Sequence, residues 1–231
     1  MVPTVVFDLD GTLVDTAPDL VATLNAVFAR EGLPPVAYEA ARNMVGGGAR
    51  LMIERGLAAE QRTLPTTEID RLCRDFIAHY AAHIADRSRP FPGLEAALDQ
   101  LDADGWRLIV CTNKLEWLTV RLLDALHLTR RFSAICGADT FGLKKPDPEL
   151  LRRTIERAGG RPDRAVMVGD SANDVDMARA AGIPVVAVDF GYTETPADEL
   201  QADRVISSFR ELPKAVFGLL GGSVGERAKG S

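Results

Sequence analysis

The chain has 231 residues, 46% of them hydrophobic, and a formal net charge of −6. This length can bury one full core and a second small one, so we expect one or two domains and exclude disorder of the whole chain. No cluster of lysine and arginine accompanies the acidic balance, which argues against a nucleic-acid partner. Any bound phosphate must therefore be held by local groups.

The cysteines and the apolar segments indicate the compartment. Cys73, Cys111 and Cys136 are odd in number and lie in apolar stretches, which suits reduced thiols better than a disulfide framework. The N-terminus shows no leader pattern, and no apolar run approaches the length that spans a bilayer. We therefore expect a soluble cytoplasmic protein, a monomer or homodimer, with no membrane partner.

The first predicted element is a strand, Thr4–Phe7, whose apolar run ends at two aspartates, Asp8 and Asp10, and then Gly11. A continuous apolar run of this length is typical of a strand that is buried on both faces. In an open α/β sheet, ligands bind beyond the carboxyl ends of the strands. The two carboxylates therefore predict an active site at this strand end.

The segment 16–87 shows helical periodicity without an intervening strand. Thr16 and Asp19 resemble an N-terminal helix cap, and a second long helix is predicted at 67–83. Because the segment leaves directly after the acidic motif, it could cover that site as a lid. The predicted domains are a catalytic core and an inserted all-helical cap: residues 1–15 with 88–231, and residues 16–87.

Beyond the cap, strand and helix patterns alternate along the chain. The further predicted strands are short and apolar: residues 107–111, 134–136, 165–168 and 184–188. Between them, apolar residues recur at helical spacing. This alternation predicts an α/β fold with a doubly wound parallel sheet.

The acidic motif after the first strand suits phosphoryl transfer. A carboxylate can attack phosphorus and form an aspartyl-phosphate, which splits one difficult step into two, and Asp8 is the candidate nucleophile. Asp10 could protonate the leaving oxygen and later take a proton from water, which typically contributes ~10²–10⁴-fold in rate. Gly11 leaves room for the backbone to approach a substrate. Taken alone, the same aspartates could merely cap a turn.

Two further segments follow predicted strands with groups that bind phosphate. Thr112 and Asn113 can donate hydrogen bonds to phosphoryl oxygens, although such a pair also commonly caps the helix that follows. Of Lys144 and Lys145, one can reach the site, because neighbours in an extended chain point opposite ways. The following proline holds Lys145 extended, so Lys145 is the candidate cation beside the nucleophile.

The last motif follows the strand predicted at 165–168. Asp170 and Asp174 could face the same crevice, and Mg²⁺ favours carboxylates together with substrate phosphate and water. Asp174 has a supporting role in this interpretation, through water or by orienting Lys145, and Ser171 could cap the following helix. The predicted Mg²⁺ ligands are two side chains and one backbone carbonyl: Asp8, Asp170 and the carbonyl of Asp10.

Together these segments resemble the four ordered motifs of haloacid dehalogenase-like phosphatases: Asp8-x-Asp10-Gly-Thr, Thr112-Asn113, Lys145-Pro and Gly169-Asp170-Ser171-x-x-Asp174. The resemblance implies a Rossmann-like core with a helical cap inserted after the first motif. It also implies Mg²⁺, Asp8 as nucleophile and Asp10 as acid/base. Dehalogenases and phosphonate hydrolases of the superfamily lack the second aspartate, so Asp10 disfavours both.

A cap segment indicates the substrate. The run Val45-Gly46-Gly47-Gly48-Ala49-Arg50 is similar to the substrate-facing cap loop of phosphoglycolate phosphatases, and Thr112-Asn113-Lys114 is similar to their second motif. A glycine triplet suits a loop that approaches a small anion, with backbone amides near Gly47 or Arg50 available to its carboxylate. The leading hypothesis is a Mg²⁺-dependent phosphomonoesterase for a small phosphorylated acid, most like 2-phosphoglycolate. The same loop could be an ordinary turn with a surface arginine.

Other activities stay open on the sequence alone. A phosphatase for a sugar phosphate, a nucleotide or pyrophosphate would use the same core motifs. A phosphomutase would too, provided that the phosphoenzyme survived water and phosphorylated a second hydroxyl. A phosphorylation switch resembling response receiver domains would also combine an aspartate, an acidic metal site and a lysine, but would need no helical cap and no acid/base at Asp10.

Overall fold

A parallel sheet of six strands lies at the centre of the computed structural model, which describes residues 2–192 and 195–221. In chain order the strands are β1 Thr4–Phe7, β2 Val14–Asp15, β3 Arg89–Pro90, β4 Arg107–Cys111, β5 Ala134–Cys136, β6 Ala165–Gly169, β7 Val185–Val188 and β8 Arg204–Ile206. The six-stranded sheet has the order β5-β4-β1-β6-β7-β8, and β2 pairs with β3 separately. The chain is thus wound in both directions from β1, which confirms the predicted fold class.

The central strands are buried on both faces. All four residues of β1 and all five of β6 are buried. Because side chains alternate across a strand, Val5 and Phe7 pack into the core on one face and Val6 packs into the core on the other. This double coverage explains why the strands have continuous apolar sequences.

Helices cover both faces of the sheet. Within the described residues they are α1 Ala17–Arg30, α2 Tyr38–Arg42, α3 Ala49–Ala59, α4 Thr66–Ala82, α5 Leu94–Ala103, α6 Glu116–Ala125, α7 Pro148–Arg157, α8 Ala172–Ala181 and α9 Leu212–Gly221. Leu98 of α5 and Val216 of α9 belong to the same core as Phe7. Leu150 of α7 and Val175 of α8 belong to the other core. The sheet is therefore the middle layer of three.

Four helices, α1 to α4, stand between β2 and β3, and no strand interrupts residues 16–87. The helix expected at 67–83 is found one residue earlier at each end, as α4. Helix α1 packs against α2, α3 and α4, and its buried Leu24 and Phe28 join Leu72 and Phe76 of α4 in the core. The insertion is therefore held together by its own apolar contacts.

Helix α1 begins where the sequence predicts, with Thr16 at the N-cap position and Asp19 in the first turn, but neither side chain makes the predicted capping contact. Thr16 makes no side-chain capping hydrogen bond. Its hydroxyl donates to Asp10 Oδ1 at 2.7 Å instead. Asp19 accepts hydrogen bonds from the backbone N–H groups of Arg87 and Ser88 and from the Ser88 hydroxyl. Both side chains thus make tertiary contacts, and Asp19 ties the chain entering the insertion to the chain leaving it.

Three strands were not expected from the sequence. β2 and β3 have two residues each, and β8 has two exposed residues out of three, so none of them forms an apolar run. The three cysteines are free thiols, as expected, with Cys111 and Cys136 buried and Cys73 partly buried. Among the described helices, none is both long and apolar enough to cross a membrane.

Candidate active site

The three central strands bring the predicted motifs to one edge of the sheet. The last residue of β1 is in parallel register with β4 on one side and with β6 on the other. Asp8, Thr112 and Asp170 directly follow these three strands, and all three side chains are buried. Residues more than 150 positions apart in the chain therefore meet in one crevice.

Lys145 is held between two carboxylates. Its Nζ lies 2.8 Å from Asp8 Oδ1 and 2.6 Å from Asp174 Oδ1. Burial alone would lower the pKa of this lysine, but the carboxylates of Asp174 and Asp8 outweigh burial and raise it. Lys145 therefore remains a cation beside Asp8.

Both carboxylate oxygens of Asp174 are held by hydrogen bonds. Its Oδ1 accepts from Lys145, and its Oδ2 accepts from the backbone N–H of Ser171 at 3.1 Å and from the Ser171 hydroxyl at 2.7 Å. Ser171 is the N-cap residue of α8. The helix start therefore fixes Asp174, and Asp174 fixes Lys145.

Asp170 is the third buried acid of the crevice. Its Oδ1 accepts from the Thr12 hydroxyl at 3.0 Å, and its Oδ2 accepts from the backbone N–H of Tyr192 at 2.8 Å. Each of Asp8, Asp170 and Asp174 offers a carboxylate oxygen within 4.8 Å of the others. Such a cluster of buried oxygen ligands suits a hard divalent cation.

The charge of this cluster also favours a cation. Burial, together with the carboxylates of Asp174 and Asp8, raises the pKa of Asp170 to about 8. Burial also raises the pKa of Asp8 to about 6, although Lys145 opposes the change. Three buried carboxylates thus share one ammonium group, and a divalent cation would balance the remaining charge.

Asp10 lies beside a cation that the sequence analysis gave no role. Its Oδ2 is 3.0 Å from Lys114 Nζ, and its Oδ1 accepts from Thr16. Lys114 Nζ also lies 4.5 Å from the ring centre of Tyr80, on α4. Lys114 follows the second motif directly, but nothing in its local pattern shows that it is buried.

The two residues of the second motif, Thr112 and Asn113, make hydrogen bonds to backbone groups of the protein. Thr112 Oγ1 accepts from the backbone N–H of Lys114 at 3.2 Å. The side chain of Asn113 accepts from the N–H of Lys145 and donates to the carbonyl of Gly46 at 3.3 Å. Neither residue caps α6, since Leu115 occupies that position, so the helix-cap alternative is wrong. Asn113 instead ties two other motifs together.

A cavity of about 350 Å³ lies between the inserted helices and this edge of the sheet. Asp10 and Lys114 line it from the core, while Gly47 and Arg50 line it from the insertion. The Arg50 side chain is 45% exposed, pairs with Asp70, and lies 3.5 Å from a Glu54 oxygen. The predicted cap loop therefore faces the cavity, with its arginine at the rim.

Two glycines leave space around Asp170. Gly11 has φ +84°, and a Cβ there would collide with Asp170 Oδ2. A Cβ on Gly191 would collide with the Asp170 side chain as well. Gly11 thus admits the carboxylate of Asp170 against the backbone of the first motif.

Tyr192 is a second residue that the sequence analysis missed. Its hydroxyl donates to Asp15 and accepts from the backbone N–H of Ala17 at 3.0 Å. The guanidinium of Arg42, on α2, lies 5.0 Å above its ring. Tyr192 therefore connects Asp170 to residues 15–17, the first linker, where the chain enters the insertion. No apolar period or motif around it indicates this position.

The fold and the site define a doubly wound α/β protein with an acidic, lysine-bearing crevice at the carboxyl edge of its sheet. The model of the haloacid dehalogenase-like hydrolase family matches residues 5–188. The chain belongs to that family and is a hydrolase, which confirms the resemblance found in the sequence.

Bacterial phosphoglycolate phosphatases are similar to nearly the whole chain. A phosphoglycolate phosphatase of Mesorhizobium japonicum is 51% identical over 210 residues, covering 91% of this chain and 92% of the relative. One of Agrobacterium fabrum is 50% identical, covering 93% and 92%. The crystal structure of a predicted phosphoglycolate phosphatase from Haemophilus somnus has a TM-score of 0.86 and 28% identity, covering 93% and 97%.

A structure with a bound sugar bisphosphate is also similar. CbbY of Rhodobacter sphaeroides, in complex with xylulose-1,5-bisphosphate, has a TM-score of 0.77 and 25% identity. The match covers 92% of this chain and 96% of that one. The similar proteins thus act on or bind small phosphate esters: phosphoglycolate for the phosphatases and a sugar bisphosphate for CbbY.

Proposed function

We propose that this protein is a Mg²⁺-dependent phosphomonoester hydrolase that converts 2-phosphoglycolate to glycolate and phosphate. The observation that carries the proposal is the buried crevice in which Lys145 joins Asp8 to Asp174 and Asp170 lies beside them. The relatives that are about half identical over more than nine-tenths of the chain support the choice of substrate.

Asp8 is the nucleophile in this proposal. Its carboxylate attacks phosphorus, the bond to the leaving oxygen breaks, and an aspartyl-phosphate forms. Lys145, 2.8 Å from Asp8 Oδ1, keeps the carboxylate ionised and stabilises the negative charge that gathers there. Asp174 acts through Lys145, as a positioning residue.

Asp10 supplies the acid and then the base. It protonates the oxygen of glycolate as that oxygen leaves, and it afterwards takes a proton from the water that hydrolyses the aspartyl-phosphate. The contacts of Asp10 with Thr16 and Lys114 hold its carboxylate at the wall of the cavity. The second half-reaction returns Asp8 and releases phosphate.

The proposed cofactor is Mg²⁺, which Asp8, Asp170 and the backbone carbonyl of Asp10 would hold. When bound, the ion neutralises charge on the phosphoryl group and on the carboxylates around it. Thr12 and the N–H of Tyr192 hold Asp170 in place for this role. Gly11 leaves room for the Asp170 carboxylate, and Ser171 caps the helix that follows Asp170.

The transferring phosphate is bound by the core and covered by the insertion. Thr112, whose hydroxyl at present only accepts a hydrogen bond, donates to a phosphoryl oxygen. The side-chain amide of Asn113 donates to another once it leaves the Gly46 carbonyl. We infer that residues 16–87 form a separate cap domain on a core of residues 1–15 and 88–231. The loop of Gly47 and Arg50 then closes over the substrate and excludes water.

A substrate panel tests the proposal. The measurement is kcat/KM with Mg²⁺ for 2-phosphoglycolate, sugar phosphates, a sugar bisphosphate, nucleotides and pyrophosphate, since this ratio expresses discrimination directly. We expect 2-phosphoglycolate to lead by at least about 10²-fold. A lead for another ester would keep the phosphatase chemistry and reject the substrate.

The panel includes a sugar bisphosphate because the similar CbbY protein was crystallised in complex with one. A sugar bisphosphate has a second phosphate and no carboxylate, so it would need a different set of groups at the far end of the cavity. If the sugar bisphosphate has the highest kcat/KM of the panel, a sugar-bisphosphate phosphatase replaces the 2-phosphoglycolate phosphatase as the proposed function.

A further inference from the structure

Lys114 is a buried cation whose part in the proposed chemistry so far is only its contact with Asp10. Its side chain is 6% exposed, and its Nζ lies 3.0 Å from Asp10 Oδ2 and 4.5 Å from the ring centre of Tyr80. Lys114 also lines the cavity between the core and the inserted helices. A buried ammonium at the wall of a substrate cavity is available to a substrate anion.

The two buried lysines of the described chain differ in how fully they are neutralised. Lys145 contacts two carboxylates, at 2.8 Å and 2.6 Å, whereas Lys114 contacts the carboxylate of Asp10 alone. An ammonium group has three donors. With one donor on Asp10 and the ring of Tyr80 beside it, Lys114 retains capacity for one more anionic partner.

The covalent structure of the substrate places its carboxylate near this lysine. In 2-phosphoglycolate a single methylene separates the ester oxygen from the carboxylate. Because Asp10 protonates that ester oxygen, the carboxylate must lie close to Asp10. Lys114 is the cation that already contacts Asp10.

The other cations at the cavity are less suitable. Arg50 is at the rim and pairs with Asp70, and Arg74 and Lys144 are exposed. A contact to an exposed side chain is weakened by water and salt, whereas a buried carboxylate without a cation is costly. The substrate carboxylate therefore gains more from Lys114.

We propose that Lys114 binds the carboxylate of the substrate and thereby selects a phosphorylated acid over a neutral phosphate ester. The inference rests on the proposed function and deepens it. It replaces Arg50, the cation expected from the sequence, with a residue of the core. Arg50 then contributes to closing the loop over the substrate and does not bind the carboxylate.

The test compares 2-phosphoglycolate with 2-hydroxyethyl phosphate, which has the same two-carbon chain without the charge. For Lys114→Met we expect the ratio of the two kcat/KM values to fall by about 10²-fold relative to wild type, mainly through a higher KM for 2-phosphoglycolate. Lys114→Gln, which retains a donor for Asp10, is expected to behave alike and serves if Lys114→Met does not fold. Circular dichroism and Tm establish folding.

Two matched variants separate Lys114 from its competitors. Lys144→Met removes the same charge from an exposed lysine at the same cavity and is expected to leave the ratio unchanged. Arg50→Met removes the rim cation. If Arg50→Met lowers the ratio and the Lys114 variants do not, the carboxylate is bound at the rim and the inference is wrong.

The remaining outcomes also decide the question. If the Lys114 variants lower kcat equally for both esters and leave the ratio unchanged, Lys114 serves only to position Asp10, and the inference is rejected. If the wild-type enzyme shows no preference for 2-phosphoglycolate, the proposed function fails, and this inference fails with it. A wild-type preference with an unchanged ratio in the variants rejects this inference alone.

Discussion

At the scale of single residues, the site is a balance between buried carboxylates and buried ammonium groups. Asp8, Asp10, Asp170 and Asp174 are all buried, and they face two buried lysines, Lys114 and Lys145. The two acids with raised pKa values, Asp8 and Asp170, are those proposed to hold Mg²⁺. Charge that the protein leaves uncompensated is thus concentrated where a cation is expected.

Asp8→Asn is expected to reduce kcat by more than about 10³-fold, because the amide can neither attack phosphorus nor act as an anionic metal ligand. The fold should persist, since burial raises the pKa of Asp8 and a neutral side chain avoids that cost. The measurements are kcat with Mg²⁺ and the Tm of the metal-free protein.

Asp176→Asn is the matched control for this prediction. Asp176 is an exposed aspartate of α8, close in sequence to the last motif. We expect the activity and Tm of the Asp176→Asn variant to equal those of the wild type. Substantial turnover by Asp8→Asn would contradict the assignment of the nucleophile.

At the scale of elements, short connections at the sheet edge link the core to the inserted helices. Asp19 in α1 accepts hydrogen bonds from Arg87 and Ser88, which belong to the second linker, where the chain leaves the insertion. Tyr192, after β7, holds the first linker through Asp15 and Ala17. The positions of both linkers are therefore defined by side chains from other elements.

Tyr192→Phe removes the hydroxyl that joins the segment after β7 to the first linker. The carboxylate of Asp15 and the N–H of Ala17 both lose this partner, so we expect the free energy of unfolding to fall by about 1.5–3 kcal/mol. The measurement is urea denaturation at pH 7.

Tyr38→Phe is the control for the loss of a hydroxyl. Tyr38 is 40% exposed at the start of α2, and the variant is expected to unfold like the wild type. If Tyr192→Phe also unfolds like the wild type, the hydroxyl of Tyr192 does not stabilise the linker.

The elements themselves were largely predictable. The strands β1, β4 and β5 have the bounds expected from their apolar runs, and β6 and β7 differ by one residue at one end. The pattern was sufficient because these strands are buried on both faces. β8 was missed because Arg204 and Val205 are exposed and give no apolar run.

At the scale of the whole molecule, the buried acids link stability to pH and to the metal. The folded pKa values of about 6 for Asp8 and about 8 for Asp170 lie above the ordinary value of an aspartate. Their contribution to the stability of the metal-free protein is therefore complete below the unfolded pKa, near 4, and is lost as the pH rises through about 6 and then about 8.

Mg²⁺ is expected to raise Tm more at pH 8 than at pH 5.5, because it must displace protons from these carboxyl groups at the lower pH. Thermal unfolding with and without Mg²⁺ at the two pH values measures the difference. Asp170→Asn should lose most of the effect. An equal stabilisation at both pH values would contradict the proposed ligands.

The sequence alone determined the family, the α/β class, the order of the motifs and the helical nature of residues 16–87. Burial on both faces of a strand and the helical period are local properties, and parallel register brings the ends of neighbouring strands to one edge. The acidic crevice of Asp8 and Asp170 follows from that register, because each acid directly follows its strand.

Only the tertiary structure decided which side chains share these contacts. Lys114 meets Tyr80 from the inserted helices, and Tyr192 meets Asp15 from 177 positions away. Asp19 was expected to cap its own helix, but it contacts the backbone of the distant Ser88. Asn113 contacts the carbonyl of the similarly distant Gly46, which nothing in its local pattern indicates. A local pattern specifies which face of an element is buried, whereas a polar side chain takes the partner that the assembled fold places within hydrogen-bonding distance.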